Sequence, residues 1–193
     1  MKQWQGFSIY MNNSFPRETM QELFSNCKEI RLSKNKHLFS PGEHLQNVYW
    51  LYQGMLEICV INEKGKKQII AVHYPDSIVG EVNALSGDET FQYCTAVRDS
   101  MLYTMNVEVF YNKLQKMGLM RDYLRLLARK VQANSIQLSI ISLYDCKTRI
   151  SRYYNDDLTH QQLSEVIGCS RVQVTRSLNK YKHLKEMSNQ PLF

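Results

Sequence analysis

Short apolar runs and turn residues alternate from about Ile30 to Met105. The runs, such as VYWLY, MLEICVI and KQIIAVHY, are rich in β-branched and aromatic residues, and glycine, proline or aspartate separates them. Short strands divided by turns at spacings of about ten residues are typical of an antiparallel β-barrel or jelly roll. A parallel α/β sheet would need long helices between its strands, and this stretch has no helical period of that length. The pattern therefore predicts an antiparallel β-roll.

A helical period flanks the predicted roll on both sides. Residues 16–29 predict a short helix before it, and Val107–Lys116 predict a bridging helix after it. The longest periodic segment runs from about Leu119 to Tyr144, where side chains recur at alternating spacings of 4 and 3. Those side chains are Met120, Leu124, Leu127, Val131, Asn134, Leu138 and Ile141.

This spacing is the a/d pattern of a two-stranded coiled coil. Asn134 at a d position fits the pattern, because a polar side chain in such an interface fixes the register of the two helices. We therefore expect a long dimerisation helix that pairs with its copy in a parallel homodimer. The alternative is a single helix packed on its own barrel, which usually carries a broader apolar stripe.

The stretch LTHQQLSEVIGCSRVQVTRSLNKY predicts a helix–turn–helix. Thr159 with Gln162, and Ser170 with Gln173, form two capping boxes. Each box marks a helix start, because its side chains satisfy amides of the first turn. Gly168 stands where the first of these helices would end, at a position that favours a left-handed residue.

The second helix of this stretch has two chemically different faces. Val174, Leu178 and Tyr181 predict a buried face. The other side carries Arg, Gln and Asn, which make paired hydrogen bonds to base edges in the major groove. We expect base contacts from the first turns and phosphate or sugar contacts around them. An amphipathic hairpin whose polar face meets only water is the alternative. The candidates for base contacts are Arg171, Val172, Gln173 and Arg176, and those for the DNA backbone are Thr159, Gln161, Ser170 and Asn179.

Positive charge is concentrated towards the C-terminal end. The net charge is +6, and the segment from Cys146 onward holds eight Lys or Arg against four Asp or Glu. Such an excess fits a phosphate-contacting unit. Asp145 is placed to cap a helix over Lys147–Tyr154, which makes residues 144–146 the predicted hinge. We therefore expect an effector or sensor domain at 1–117, the dimerisation helix at 118–144 and a DNA-binding domain at 145–193.

Five cysteines are spaced singly along the chain, at Cys27, Cys59, Cys94, Cys146 and Cys169. Without a closely spaced pair, the sequence predicts neither a zinc site nor a redox dithiol. The odd count and the lack of a signal-peptide pattern at the start favour a reducing cytoplasm. No run approaches the ~18 apolar residues that span a bilayer. We expect a cytoplasmic protein with no membrane segment.

The order of roll, long helix, hinge and helix–turn–helix resembles the CRP/FNR family of transcriptional regulators over nearly the whole chain. The similarity is strongest in THQQLSEVIGCSRVQVTRSL and is also clear in HLFSPGE, in VYWLYQGMLEICVINEKGKKQII and in the Gly80-Glu81 pair. The resemblance implies an α+β protein with an N-terminal cyclic-nucleotide-binding-type β-roll. It further implies a homodimer that binds palindromic sites in double-stranded DNA and works with RNA polymerase.

The resemblance also implies where an effector would bind. Thr90 and Phe91 stand where cAMP-binding members have an Arg-Ser pair for the cyclic phosphate. A buried phosphate needs a cationic or amide-rich partner, so cAMP is not the expected effector. We expect either a polar or anionic small molecule or a roll without an effector. The candidate effector-binding residues are Gly80, Glu81, Val82, Thr90 and Phe91 in the roll, and Lys130, Asn134 and Ser135 on the dimerisation helix.

Two departures from the family pattern bear on DNA reading. Arg171 and Arg176 match the family's arginines, but Val172 replaces the glutamate that accepts a hydrogen bond from cytosine. Valine favours a thymine methyl group, so the target sequence should differ from the founding member's. The residues after the recognition helix, KHLKEMSNQPLF, show no β-hairpin pattern. We expect a helix–turn–helix lacking an evident wing, with weaker DNA binding than a winged relative.

Together these features predict a DNA-binding transcriptional regulator whose roll senses an effector and shifts the population of hinge conformations. One alternative is an effector-binding module with a degenerate DNA reader that acts through protein contacts. An enzyme built on a cupin-like barrel is not expected, because its metal needs clustered ligands and His73 stands alone among the strands. Metal sensing is not expected either, since only Cys27 lies near the start and His37, His44 and His73 are typical of surface or turn positions.

Overall fold

The computed structural model describes the backbone of residues 10–11 and 15–188 and the side chains of residues 15–180. The strands are β1 (Tyr10–Met11), β2 (Lys28–Leu32), β3 (His37–Phe39), β4 (Asn47–Ile61), β5 (Lys67–His73), β6 (Ile78–Val79) and β7 (Tyr93–Asn106). The helices are α1 (Arg17–Leu23), α2 (Glu81–Ser86), α3 (Val107–Lys116), α4 (Met120–Leu143), α5 (Cys146–Tyr153), α6 (His160–Ile167) and α7 (Arg171–Ser188).

Two long antiparallel strands, β4 and β7, form the centre of the sheet. The strand order is β1-β5-β4-β7-β2, with β3 on β7 and β6 on β4, and among the described strands only β1 and β5 pair in parallel. The β4–β7 register shifts near Gly54, where an added Cβ would lie 2.2 Å from the Ser100 hydroxyl oxygen. Glycine lets the two strands approach this closely. The predicted β-roll is confirmed.

The first apolar core fills the roll and is closed by α1, α3 and the start of α4. Met20 and Leu23 of α1 and Phe110 of α3 are fully buried in it. Helix α3 has the predicted bounds. The predicted helix over 16–29 is correct only in its first part, because α1 ends at Leu23 and Lys28 already pairs with Thr104 in the sheet.

Helix α4 divides the predicted seam between two environments. Its inner face packs on this chain and buries Tyr123, Ala133, Gln137 and Ile140. Three seam residues at heptad spacing are exposed: Leu124 by 57 %, Val131 by 64 % and Leu138 by 68 %. The other four are partly buried or lie at a pocket edge: Met120, Leu127, Asn134 and Ile141. Apolar side chains exposed at a spacing of seven are what a coiled-coil partner covers.

The helix–turn–helix forms at the predicted caps. The capping box of Thr159 with Gln162 is complete at the start of α6. At the start of α7, the Ser170 hydroxyl accepts a hydrogen bond from the backbone N–H of Gln173 at 3.2 Å. Gly168 ends α6 with a φ of 68°, a left-handed conformation that glycine adopts without strain.

The predicted hinge is the break between α4 and α5. Tyr144 has extended backbone, and Asp145 caps α5 by accepting a hydrogen bond from the Thr148 amide at 2.9 Å. Helix α7 continues to Ser188. The residues beyond Ser188 lie outside the described part of the chain, so the expected absence of a wing stays a prediction.

A second apolar core joins α5, α6 and α7 to the roll. Ile69 and Val72 of β5 pack in one cluster with Leu163 and Val166 of α6. Ile140 near the end of α4 belongs to the same cluster. The core therefore crosses the predicted boundary at residue 145 and seats the helix–turn–helix directly on the roll.

Three polar side chains hold α6 in this position, and we call them the clamp: Lys67, Gln68 and Gln137. The side-chain amides of Gln68 and Gln137 both donate to the carbonyl oxygen of Val166, at 2.9 and 3.3 Å. Lys67 forms an ion pair with Glu165 at 3.1 Å. The carbonyl oxygen of Val166 in the last turn of α6 is thus bound by the roll and by α4, which stabilises the docked arrangement. Within the described residues, no helix has the length and apolar character needed to cross a bilayer.

Candidate DNA interface and effector pocket

The outer face of α7 is open to solvent. Val174 and Leu178 are buried on its inner face, as the sequence predicts, whereas the side chain of Tyr181 lies outside the described residues. The His160 ring, through Nδ1, lies 3.1 Å from the Thr175 hydroxyl and ties α7 to α6. All of the candidate DNA-binding residues are exposed, namely Thr159, Gln161, Ser170, Arg171, Val172, Gln173, Arg176 and Asn179.

The side chain of Gln173 belongs to the cap of α7, which limits the hydrogen bonds that it can make with a base. Its Oε1 accepts hydrogen bonds from the amide and the hydroxyl of Ser170, both at 3.0 Å. A paired contact of glutamine with adenine needs both the oxygen and the NH₂ group. While this cap is intact, Gln173 can offer a base only its NH₂ group. Arg171, Val172 and Arg176 therefore remain the stronger candidates for base contacts.

A second candidate site is a pocket of about 110 Å³ between the roll and α4. Five of the predicted effector residues meet there: Gly80, Glu81, Val82, Lys130 and Asn134. Sequence reasoning missed the rest of its lining, which consists of Phe39, Ile58, Ile70, Ala71, His73, Val79, Asn83 and Gln92.

The other three predicted effector residues lie outside this lining, and their placement is corrected. Thr90 is buried, and its hydroxyl accepts a hydrogen bond from the Gln92 amide at 3.1 Å. Phe91 is 66 % exposed, because the approach to β7 turns it to solvent and lets Gln92 enter the pocket instead. Ser135 donates to the Val131 carbonyl of its own helix at 3.0 Å.

Lys130 reaches from α4 into the roll and pairs with Glu81. Its Nζ lies 2.5 Å from Oε1 of Glu81 and 2.9 Å from the carbonyl oxygen of Ile78. The two side chains are only 12 % and 3 % exposed. A buried charge is tolerated when it is paired and hydrogen-bonded, so each of these side chains depends on the other.

The pocket is small in this arrangement of the chain. Pockets for small molecules and cofactors are about 300–1,000 Å³, whereas this one is about 110 Å³. The carboxylate in the pocket, Glu81, is already bound by Lys130, and none of the described arginines lines the pocket. For metals, the residues with described positions contain no group of three or more His, Cys, Asp or Glu side chains suited to hold an ion.

His73 is buried in the pocket wall, and its expected surface or turn position is wrong. It ends β5 between two neighbouring strands, where it pairs with Leu56 and with Met11. Its Nδ1 has no hydrogen-bond partner among the described residues. Burial, and secondarily the charge of Lys130, lowers the pKa of His73 well below its ordinary value. The sequence KQIIAVH does carry a signal for this burial. Side chains alternate between the two faces of a strand, so His73 lies on the same face as Ala71.

We expect acid to destabilise the fold through His73. The unfolded chain binds a proton near pH ~6.5, whereas the native imidazole stays neutral because its pKa is lowered. The unfolded state therefore binds more protons below that pH, and the free energy of unfolding falls by roughly 1 kcal/mol between pH 7 and 5.5. Urea unfolding at both pH values checks this for the wild type and for His73→Gln.

The His73→Gln protein should lose less stability over this pH interval than the wild type. His37→Gln is the matched control, because His37 is exposed and the substitution leaves His73 in place, so the loss attributed to His73 should persist. Equal losses in the wild type and in His73→Gln would contradict the assignment.

Comparison with known proteins finds relatives that match most of the chain. The cyclic nucleotide-binding domain matches residues 29–117, which hold most of the roll and α3. The global nitrogen regulator of Nostoc sp. is 23 % identical over 175 residues, covering 80 % of this chain and 78 % of the relative. The cAMP-activated global transcriptional regulator CRP of Salmonella typhimurium is 21 % identical over 178 residues, covering 83 % and 85 %.

The fold is shared with solved structures. A transcriptional regulator of the CRP/FNR family from Thermus thermophilus superposes with a TM-score of 0.64 at 16 % identity, covering 81 % of this chain and 86 % of the other. The sequence similarity to the two regulators extends well beyond the roll, since it covers about four fifths of the chain. The homologues and structural neighbours of this chain are thus transcriptional regulators of the CRP/FNR type.

Proposed function

We propose that the chain acts as a homodimer that binds a palindromic DNA site through two copies of α7 and responds to a small molecule in the roll pocket. The observation that carries this proposal is the exposed, arginine-bearing face of α7 on a buried helix–turn–helix core. Arg171 and Arg176 lie in the first turns, where a recognition helix contacts base edges. A dimer joined along α4 would present its two copies of α7 about 34 Å apart, one turn of the duplex.

Salt dependence of DNA affinity tests the proposal. Lys and Arg side chains that contact phosphates release counterions, so log affinity falls with log salt by about 0.9 per contact. Fluorescence anisotropy with a selected duplex should therefore show a steep loss of affinity as salt rises. An absent or salt-independent affinity would support the module that acts only through protein contacts, which the regulatory relatives do not favour.

Arg176→Ala should relax base preference at one position of each half-site. Arginine makes a paired contact with guanine, and the loss of such a contact costs roughly 1–3 kcal/mol. Affinities for duplexes substituted at each position would measure the change. Lys180→Ala is the control, since an exposed lysine that contacts a phosphate should weaken binding to all sequences alike. An unchanged base preference in Arg176→Ala would contradict the placement of α7.

The chemistry of the pocket supports a small polar or anionic effector. Lys130 offers ammonium hydrogens, and Asn134 and Gln92 offer amides. His73 adds a ring nitrogen that lacks a partner among the described residues. A ligand that engages Lys130 would compete with Glu81 for it, and binding would thereby be coupled to the position of α4.

Two elements connect the pocket to the DNA-binding part. Strand β5 carries His73 at the pocket and Gln68 at the clamp, and α4 carries Lys130 at the pocket and Gln137 at the clamp. Both glutamines donate to Val166 of α6. An effector that favours one arrangement of the pocket would therefore shift the population of the docked arrangement and reorient α7.

The proposal assigns residues 1–117 to sensing, 118–144 to dimerisation and 145–193 to DNA binding. Relatives that are transcriptional regulators support a regulatory role over a catalytic one. Such a regulator would work in the cytoplasm, on the DNA it controls, and would act on transcription through RNA polymerase.

A further inference from the structure

Cys146 and Cys169 are distant in sequence and adjacent in the fold. Cys146 begins α5, and Cys169 lies in the turn between Gly168, which ends α6, and Ser170, which caps α7. The Cys146 and Cys169 side chains are neighbours, since Cys169 contributes, after burial, to the raised pKa of Cys146, and both are partly exposed against the second apolar core. The Cys169 thiol donates to the carbonyl oxygen of Ile167 at 3.9 Å. Sequence spacing gave no signal for this pair, because helix packing brings the two cysteines together.

Arg149 holds the segments around the two cysteines together. Its Nε donates to the Tyr144 carbonyl at 2.7 Å, and its Nη1 donates to the Ile167 carbonyl at 3.0 Å. One side chain thus joins the hinge to the end of α6. A Cβ added at Gly168 would lie 3.8 Å from Nη1 of Arg149. The contact between hinge and turn therefore does not depend on the thiols alone.

We propose that Cys146 and Cys169 form a reversible disulfide that ties the hinge to the turn before α7 and weakens DNA binding. The oxidant is a hydroperoxide, for which hydrogen peroxide is the probe. The effect on DNA rests on the proposed function, whereas the disulfide itself does not. The other three cysteines have other surroundings, since Cys59 and Cys94 are buried in the sheet and Cys27 lies near α1.

The order of attack follows from the environment of the thiols. Burial, and secondarily the interaction with Cys169, raises the pKa of Cys146 to about 12, so Cys146 holds its proton and we assign the first attack to Cys169. The Cys169 sulfur attacks a peroxide oxygen, an S–O bond forms and the O–O bond breaks. The departing hydroxide takes up the proton that Cys169 released and becomes water.

The second step closes the disulfide. The Cys146 sulfur attacks the sulfenic acid of Cys169, an S–S bond forms and the S–O bond breaks. The hydroxyl leaves as a second water with the proton of Cys146. Two electrons have passed from the thiols to the peroxide, and a dithiol reductant returns them by thiol–disulfide exchange.

Closing the bond moves the start of the recognition helix. A disulfide is about 2.05 Å long, more than ~1 Å shorter than a non-bonded contact between two sulfurs. The turn that holds Cys169 is therefore drawn towards the hinge, and it carries Ser170 and Arg171 with it. Since Arg171 is a candidate base contact, the oxidised protein should bind DNA less tightly.

Peroxide treatment of the purified full chain, followed by intact-mass measurement and peptide mapping, tests the bond. We expect the loss of two hydrogen masses and a cross-linked peptide pair that contains Cys146 and Cys169, both reversed by dithiothreitol. Cys146→Ser and Cys146→Ala should abolish the cross-link, whereas Cys27→Ser, the matched control, should retain it. A cross-link between other cysteines, or sulfonic acid at Cys169 without a cross-link, would overturn the proposal.

DNA binding of the same samples tests the consequence. The reduced wild type and reduced Cys146→Ser should bind alike, and oxidation should weaken the wild type about ten-fold, the effect of one lost base contact. Oxidised Cys146→Ser should bind as its reduced form does. Equal affinity of the oxidised and reduced wild type would overturn the regulatory effect. If neither form bound any duplex, the proposed function would fail while the mass measurement still decided the disulfide.

Discussion

The double variant Val131→Glu/Leu138→Glu is expected to be monomeric and to lose most of its DNA affinity. Both side chains are largely exposed in the single chain, so its fold does not depend on them. In a parallel dimer each would face its copy at an a position, and the introduced carboxylates would be desolvated against like charges. A monomer also loses the avidity of two linked readers, which is about 10²–10⁴ in affinity. Sedimentation velocity and anisotropy with a palindromic duplex would measure the two effects.

Gln132→Glu/Ser139→Glu is the matched control. It adds the same two charges at the same spacing, one residue further along, at exposed positions that face away from the seam. This control should remain dimeric and bind DNA normally. A dimer that persists in Val131→Glu/Leu138→Glu would contradict the seam, and so would a control that dissociates equally.

Lys130→Met is expected to lower the free energy of unfolding by about 3–5 kcal/mol, the cost of breaking a buried ion pair from one side. The substitution leaves the Glu81 carboxylate buried without its cation and removes the donor to the Ile78 carbonyl. Methionine nearly matches the length of lysine, so packing along α4 is largely kept. Urea denaturation would measure the loss.

A second substitution separates charge from packing in this site. The double variant Glu81→Gln/Lys130→Met contains neither of the two charges, so no unpaired charge is left buried. It should therefore recover much of the stability that Lys130→Met loses. Lys116→Met, an exposed lysine at the end of α3, should stay within about 0.5 kcal/mol of the wild type. The free energy of unfolding of Glu81→Gln should be measured as well. If the loss of stability in the double variant equalled the sum of the losses in Lys130→Met and Glu81→Gln, the two side chains would not be coupled.

Local chemistry made the DNA-binding part predictable. The caps at Thr159 and Ser170 and the left-handed Gly168 depend on partners three or four residues away. The strands of the roll likewise follow from apolar runs and the turn residues between them. These elements could therefore be derived without knowing what packs against them.

The pocket is formed by residues that are distant in sequence, and no periodic pattern of side chains predicts such contacts. Lys130 and Glu81 are 49 positions apart, and both were assigned to a ligand rather than to each other. A difference of one residue before β7 decides that Gln92 enters the pocket while Phe91 meets solvent. His73 was misplaced because its burial comes from a strand on each side, which its own sequence does not show.

The heptad pattern of α4 includes side chains in two different environments. A helix that packs on its own roll on one side and on a partner on the other has apolar side chains all around it, and one heptad pattern fits both faces. Leu127 packs partly against the core of the roll, whereas Val131 is exposed. The heptad pattern alone does not distinguish these two environments.

Selection of binding sites from a random duplex library at low salt tests the central claim most directly. The account predicts an enriched inverted repeat whose half-site centres lie about 10 base pairs apart, bound by two chains. A library that enriches no sequence, or only an unpaired half-site bound by a single chain, would contradict it.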